Sequence, residues 1–335
     1  MNITNKKIFS LPYTPGMIDV LEELPIEQIH DIYFSDNKFG SARALTLAEE
    51  QWQELLNIRE KYGIKLHYLF NGNYYSNESY EEAPKVVEHI KNLGVDLLTL
   101  NNTYLMRDAT FMQALRDTNP NGLEIKNSVN NKPKTLKEVM FLINVLGIRS
   151  IIVDRALNRD LDELKKISDY CKERNIKITM LVNEGCIVDC MWKNFDDMMI
   201  SQTNEKSNMI VIKAVHNELG CVRHFEESPG EYLKTGFTLP TDLDKFNGLV
   251  DIIKIAGRGN PIEKWLKMCK AYMYGDGNIQ LKYLFSTKPP NILMNTTVNN
   301  LVEYNFTEIT KNCKNVCGTE CVLCDKVTEK LMIKY

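Results

Sequence analysis

Short apolar runs recur along the chain with amphipathic stretches between them, and this alternation predicts the fold. Runs rich in β-branched and aromatic residues at Lys7–Leu11, Asp31–Ser35, Lys65–Phe70, Asp96–Leu100, Leu123–Asn127, Ser150–Asp154, Lys177–Val182 and Ile252–Ile255 read as strands. Between them Leu47–Tyr62, Ala83–Leu93, Thr135–Leu146 and Leu161–Arg174 carry apolar residues at helical spacing. Gly63, Gly94, Gly147 and Asn175 follow these stretches, and such residues tolerate the left-handed backbone of a helix C-terminus. A helix that ends this way and runs into an apolar strand is the return arm of a βαβ unit. Eight such strands predict an α/β protein, a (β/α)8 TIM-like barrel over residues 1–274, with Pro261–Tyr274 as its closing helix. A long insertion of about 184–243 separates the last two strands; within it Ile210–Val215 predicts an extra strand and SQTNEKSN an exposed loop. Residues 275–335 are expected to form a C-terminal Cys-rich appendage.

In that fold the residues just after each strand line the reactive face. Here those positions are polar strand after strand: Asn71, Asn101, Asn127, Arg155, Asn183, Glu184 and Arg258. Turn and cap preferences explain any one of them. Their recurrence favours a polar pocket at the barrel mouth.

Composition narrows the class. The 335 residues, 44% apolar and 25% charged, are those of a soluble globular protein with room for a large core. A net charge of −3 argues against a mainly electrostatic grip on nucleic acid, while leaving room for a local basic patch. The N-terminus lacks the apolar core of a signal peptide, and no run approaches the roughly 18 apolar residues of a membrane span. A cytoplasmic chain without membrane contact is the expectation. Disulfides are disfavoured there, so the clustered cysteines point to metal binding or catalysis.

Cys186 and Cys190 follow the seventh strand in ITMLVNEGCIVDC. Gly185 is expected to permit a sharp turn, and a helical turn after it would place both sulfurs on one face. Cys221 lies in the same insertion and is the natural third ligand. A fourth ligand to such a centre is a tail cysteine, another protein atom or substrate. The tail reads C-x3-C-x3-C-x2-C through Cys313, Cys317, Cys321 and Cys324, with Gly318 easing the turn. Four thiolates on one short segment suit a separate site for zinc or an iron–sulfur cluster. The last three also match the spacing of radical S-adenosylmethionine enzymes, but they lie after the barrel, where that motif has no structural context. Cys171 and Cys269 fall inside helices and read as packing residues. In DIIKIAGRGNP a strand delivers Lys254 and the following turn delivers Arg258 between two glycines, an arrangement suited to a carboxylate or phosphate. His216 and His224 flank Cys221 and are assigned no role.

Four segments in order resemble the U32, collagenase-like peptidase family: IYFSDNKFGSARAL, GIRSIIVDRALNRDLDELKKI, LVNEGCIVDC and DIIKIAGR. The family's K-I-E-G-R has Ala256 at its Glu here, its R-E-L is Arg155, Ala156 and Leu157, and the Pro after its second Cys is Met191. The resemblance implies either a peptidase or an oxygen-independent, iron–sulfur hydroxylase of RNA bases or small aromatic molecules. It further implies a [4Fe-4S] cluster on Cys186, Cys190 and Cys221; the tail spacing separately suggests a second cluster or zinc there. A prephenate-like cosubstrate, a small-molecule or RNA substrate, and an electron donor or partner subunit complete the implied set. Arg258, Lys254, Glu184 and Asn183 are the expected catalytic residues, with Asn71, Asn101, Asn127 and Arg155 around the substrate. A hydrolase and a non-catalytic, metal-stabilised binding protein are the alternatives.

Overall fold

Eight parallel strands close into one barrel in the computed structural model, which describes residues 7–36, 47–72, 83–201, 213–317 and 320–334. They are β1 (Phe9–Pro12), β2 (Ile29–Phe34), β3 (Lys65–Phe70), β4 (Leu97–Leu100), β5 (Glu124–Asn127), β6 (Ser150–Ile152), β7 (Lys177–Leu181) and β8 (Ile252–Lys254). Each pairs with its neighbour in chain order, and β1 closes on β8 with Phe9 opposite Ile253 and Ser10 opposite Lys254. Every predicted strand of the barrel is present, with ends shifted by at most two residues.

The helices that wrap the barrel are α1 (Glu49–Tyr62), α2 (Ala83–Leu93), α3 (Ala109–Arg116), α4 (Leu136–Asn144), α5 (Leu161–Lys172) and α8 (Ile262–Tyr274). Two further helices, α6 (Lys193–Ser201) and α7 (Cys221–Glu227), lie in the insertion, and α9 (Leu323–Lys334) ends the chain. Local chemistry sets their ends. The hydroxyl of Thr135 accepts the Glu138 N–H and the Glu138 side chain returns to the Thr135 N–H, a capping box that starts α4. Asn175 stops α5 with φ 53°, as its αL tolerance predicts. Apolar faces then bury against the strands, with Leu55 and Ile58 from α1, Leu164 and Ile167 from α5, and Trp265 and Met268 from α8. Each fully buried side chain of this size contributes about 1.5–3 kcal/mol of transfer free energy. Cys171 and Cys269 are wholly buried in this layer, as packing positions.

The barrel interior departs from the usual filling of branched apolar residues. The Ser10 hydroxyl donates to Asp31 at 2.7 Å, His67 Nδ1 stands 2.8 Å from Asp31, and His67 Nε2 stands 2.8 Å from the Thr99 hydroxyl. Lys126 and Lys254 are buried in the same interior. Burial opposes the Asp31 charge, but the neighbouring His67, His30 and Lys126 outweigh it and hold the carboxyl well below its ordinary value. Burial in turn lowers His67 to about 4, so a neutral imidazole bridges carboxylate and hydroxyl.

Two expectations are revised. Residues 213–218 are helical, so Val215 belongs to a helix instead of the expected strand; residues 210–212 lie outside the described residues, as does most of the SQTNEKSN run. The Leu219 N–H bonds to the Val215 carbonyl four residues back at 2.9 Å, the closure of a helical turn and not a strand ladder. The C-terminal extension is also more than an appendage. Leu281, Leu284, Phe285, Leu293, Leu301 and Phe306 belong to one continuous core with the barrel. The Phe237 and Phe285 rings lie 4.5 Å apart across that junction.

Candidate functional site

A cavity of about 880 Å³ opens at the C-terminal ends of β2, β7 and β8. Its walls include Tyr33 from β2, Glu184, Cys186 and Cys190 from the segment after β7, Cys221 from α7, and Arg258 from the turn after β8. Ser286, Thr287 and Lys288 of the C-terminal extension complete one side. The position is the one a (β/α)8 fold reserves for its reactive groups.

The chain brings Cys186 and Cys190 to this wall without a helix. Residues 186–190 are irregular, with a turn at 188–189 in which Asp189 has φ 54°. Gly185 serves space rather than a sharp turn, because a Cβ there would stand 2.9 Å from the Tyr232 hydroxyl. Cys221 opens α7 immediately after Gly220. Burial pushes its thiol above the ordinary value, with Cys190 and Asp196 adding to the effect. Three thiols on one wall match the donor chemistry of an iron–sulfur cluster. Among the described residues no three His, Cys, Asp or Glu side chains are grouped closely enough to hold a metal ion.

The polar wall is anchored from behind. Arg155 forms an ion pair with Glu184 through its Nε. Burial disfavours the Arg155 charge, but Glu184 and then Cys186 outweigh it and raise the guanidinium above its ordinary value. Arg155 therefore holds Glu184 in place from behind the cavity surface. Arg258 donates from Nη1 to the Ser35 hydroxyl and lies 6.0 Å from the centre of the Tyr33 ring. Gly257 beside it has φ 134°, and a Cβ would meet Asn260 Nδ2 at 2.5 Å and Met268 Cε at 2.9 Å, so no other residue fits.

Lys254, which β8 delivers, takes a different place from the one expected beside Arg258. Its ammonium is buried 3.8 Å from the centre of the Tyr33 ring and does not line the cavity. Burial pulls it down to about 7; Lys126 and Arg258 add to the fall, while Asp31 and Glu184 oppose it. Tyr33 thus separates Lys254 from the cavity, with its own hydroxyl donated to the Ile255 carbonyl at 2.6 Å.

The asparagines expected around substrate are mostly consumed by backbone. Asn127 donates to the carbonyls of Ile152 (2.9 Å) and Ser128 (3.0 Å) and accepts the Ile152 N–H at 2.8 Å. Asn183 donates to the carbonyls of Ala256 and Leu284 and accepts the Ala256 N–H. Asn101 donates to the Gly72 carbonyl at 3.0 Å. Asn71 follows β3, partly exposed and off the cavity wall. The physical reason is common to Asn127 and Asn183: a buried strand end has peptide groups to satisfy, and an amide matches them with one donor and one acceptor.

Sequence reasoning missed Tyr33 and Trp192 on the wall and gave no role to His216, which also lines it. His216 Nε2 stands 2.6 Å from Asp196 Oδ1. Tyr33 had a legible signal, since Asp31 and Tyr33 alternate along β2 and place both inside the barrel. The tail cysteines line no part of this cavity. Cys317 and Cys321 form an isolated parallel bridge, Cys324 is buried in the first turn of α9, and Gly318 lies outside the described residues.

The sequence profile of the family described as Peptidase family U32 matches residues 17–189. A protein of Methanocaldococcus jannaschii named as an uncharacterized protease is 25% identical over 325 residues, covering 91% of this chain and 90% of that one. Among solved structures, the U32 peptidase Mk0906 aligns with a TM-score of 0.52 at 16% identity, over 76% of this chain and 94% of its own, a likeness of fold. No helix among the described residues is long and apolar enough to cross a membrane.

Proposed function

The chain belongs to peptidase family U32, and on that premise we propose that it is an iron–sulfur enzyme that hydroxylates an RNA base or a small aromatic, anionic molecule without dioxygen. The observation that carries this reading is the meeting of Cys186, Cys190 and Cys221 with Arg258 and Glu184 on one cavity at the barrel mouth. When bound by the three thiolates, a [4Fe-4S] cluster supplies one-electron redox chemistry. Replacing C–H by C–OH with the oxygen of water releases two electrons and two protons, and an external electron acceptor takes the electrons. Glu184, fixed by Arg155, is the carboxylate placed to take a proton. Arg258 offers paired donors to a carboxylate or phosphate, which also suits a prephenate-like cosubstrate. Trp192 gives the same cavity an aromatic face against which a planar ring packs.

A hydrolase is the second reading, favoured by Cys221, His216 and Asp196 on the same wall. An imidazole oriented by a carboxylate, sharing a cavity with a thiol, supplies the parts a cysteine nucleophile needs. Burial keeps the Cys221 thiol protonated, which disfavours that role. Anaerobic purification separates the two. The redox reading expects a coloured protein containing iron and acid-labile sulfide, with one cluster's worth of both lost together in Cys221→Ser. Iron-free protein that cleaves peptides, with cleavage lost in Cys221→Ser, overturns it.

A further inference from the structure

Arg159 is a deeply buried cation near the middle of the chain that forms no ion pair among the described residues. It is 2% exposed. Its Nη2 donates to the carbonyls of Leu233 (3.1 Å) and Thr235 (3.0 Å), and its Nε has no partner among the described residues. The guanidinium carbon lies 5.2 Å from the ring centres of both Phe237 and Phe306. Burial acts against its charge; the groups that favour it are, in order, Cys324, Cys313 and Cys317, and only then Asp242. Three tail sulfurs are therefore its strongest prospective counter-charges. A buried guanidinium is costly unless its charge is compensated, and neutral thiols add nothing to what Asp242 supplies.

The tail backbone is arranged to present those sulfurs. Cys313 Sγ accepts the N–H of Asn315 at 3.4 Å, with Asn315 held at φ 54°. Backbone N–H donation of this kind supports a metal-bound thiolate. Cys317 and Cys321 are bridged side by side, and Cys324 is buried with Val327 and Leu331 in the shared core. Ion pairs of Lys314 with Asp162 (2.7 Å) and Asp325 with Lys234 (2.9 Å) fasten the segment to the barrel at both ends. None of the four cysteines reaches the barrel cavity.

We propose that Cys313, Cys317, Cys321 and Cys324 form a second, four-thiolate metal centre, separate from the barrel cavity, with Arg159 as the buried positive charge that receives it. The ligand is a thiophilic metal, either zinc or an iron–sulfur cluster. Four S–H protons pass to solvent as four metal–sulfur bonds form, with no change of oxidation state on binding zinc. A divalent ion with four thiolates carries a net charge of −2, which Arg159 and the nearby Lys234 offset. The four sulfurs are drawn together from neighbouring positions, since no three of them are grouped at metal-holding distance among the described residues. This inference does not depend on the chemistry of the barrel site.

The test counts zinc, iron and acid-labile sulfide in the full chain purified anaerobically. C313S/C317S/C321S/C324S is expected to lose one metal centre and keep the barrel iron, and C186S/C190S/C221S to do the reverse. Zinc without extra sulfide identifies one ligand, and additional iron with sulfide the other. Arg159→Met should release the tail metal to a chelator about tenfold more readily than wild type, with Arg159→Lys partly restoring retention. If the quadruple variant fails to fold, wild-type protein stripped with chelator and retitrated with zinc should show these four cysteines protected together from alkylation. Unchanged metal content in the quadruple variant, no joint protection, or loss of barrel iron along with the tail metal overturns the proposal. Unaltered chelator release from Arg159→Met overturns the role of Arg159.

Discussion

The side-chain amide of Asn183 clasps the backbone of Ala256 from both sides, with Nδ2 donating to its carbonyl at 2.9 Å and Oδ1 accepting its N–H at 2.5 Å. Asn183 follows β7 and Ala256 follows β8, so the amide adds a rung to the parallel ladder where the strands have ended. Asn127 does the same for Ile152 between β5 and β6, and Asn158 donates to Leu181 at 2.9 Å between β6 and β7. These asparagines hold the barrel mouth in shape, which fixes where Glu184 and Arg258 stand.

Asn183→Ala therefore acts on stability. It strands a buried N–H and two carbonyls, each worth about 1–3 kcal/mol when unsatisfied. Urea unfolding should show a loss of at least about 2 kcal/mol, with iron content per folded chain unchanged. A variant as stable as wild type that lacks iron would move Asn183 back into the site.

The strands were readable because apolar runs bounded by Gly and Asn have few other readings. The asparagines misled because a pocket donor, a turn former and a ladder extender use the same residue type, and only the neighbouring strand distinguishes them. Tyr33 was obscured for a similar reason: an aromatic residue in a strand reads as core, and here it is both core and cavity wall. Residues 213–218 failed because a run of β-branched residues outweighed the helical spacing of Val215 and Leu219. The cysteines were legible as a set, since thiols in such numbers have few structural uses. Their division into a barrel group and a tail group was read from spacing, whereas the burial of Arg159 beside the tail depended on tertiary packing that no spacing encodes.

Lys254 predicts a pH dependence of stability. Its folded-state pKa is lowered to about 7, against an unfolded value near that of free lysine, about 10.4. Between these values the unfolded chain binds more protons, so stability rises with pH from about 7 to about 10, by up to about 1.4 kcal/mol per pH unit. Lys245, also buried and pulled down to about 7, contributes a slope of the same sign in the same window. Lys254→Met should flatten the rise by about half, measured as unfolding free energy at pH 7, 8 and 9. An identical slope in wild type and variant would show that Lys254 titrates normally.

The cysteine classes predict opposite outcomes for one kind of substitution. Cys186→Ala removes a thiol from the cavity and should abolish barrel iron while costing little stability. Cys171→Ala and Cys269→Ala empty a small volume in the packed layer, should cost about 1 kcal/mol each, and should leave iron untouched. Iron analysis and thermal unfolding of the three variants check this together. Full iron in Cys186→Ala would remove that residue from the ligand set.

Arg258→Lys separates recognition from architecture. Arg258 donates to the Ser35 hydroxyl and lies on the cavity wall beside Tyr33. A lysine keeps the charge but loses the planar fork that meets two oxygens at once. Gly257 and its tight contacts with Asn260 and Met268 fix the backbone here, so a shorter reach cannot be recovered by moving the turn. Calorimetric titration with inorganic phosphate and with prephenate should show at least about a tenfold loss of affinity for whichever anion wild type binds, equivalent to about 1.4 kcal/mol. The melting temperature should change little, because the Ser35 bond is a single contact at the cavity edge. Undiminished affinity with a lowered melting temperature would make Arg258 a structural residue and shift anion recognition to Lys193, Lys213 or Lys288 on the same wall.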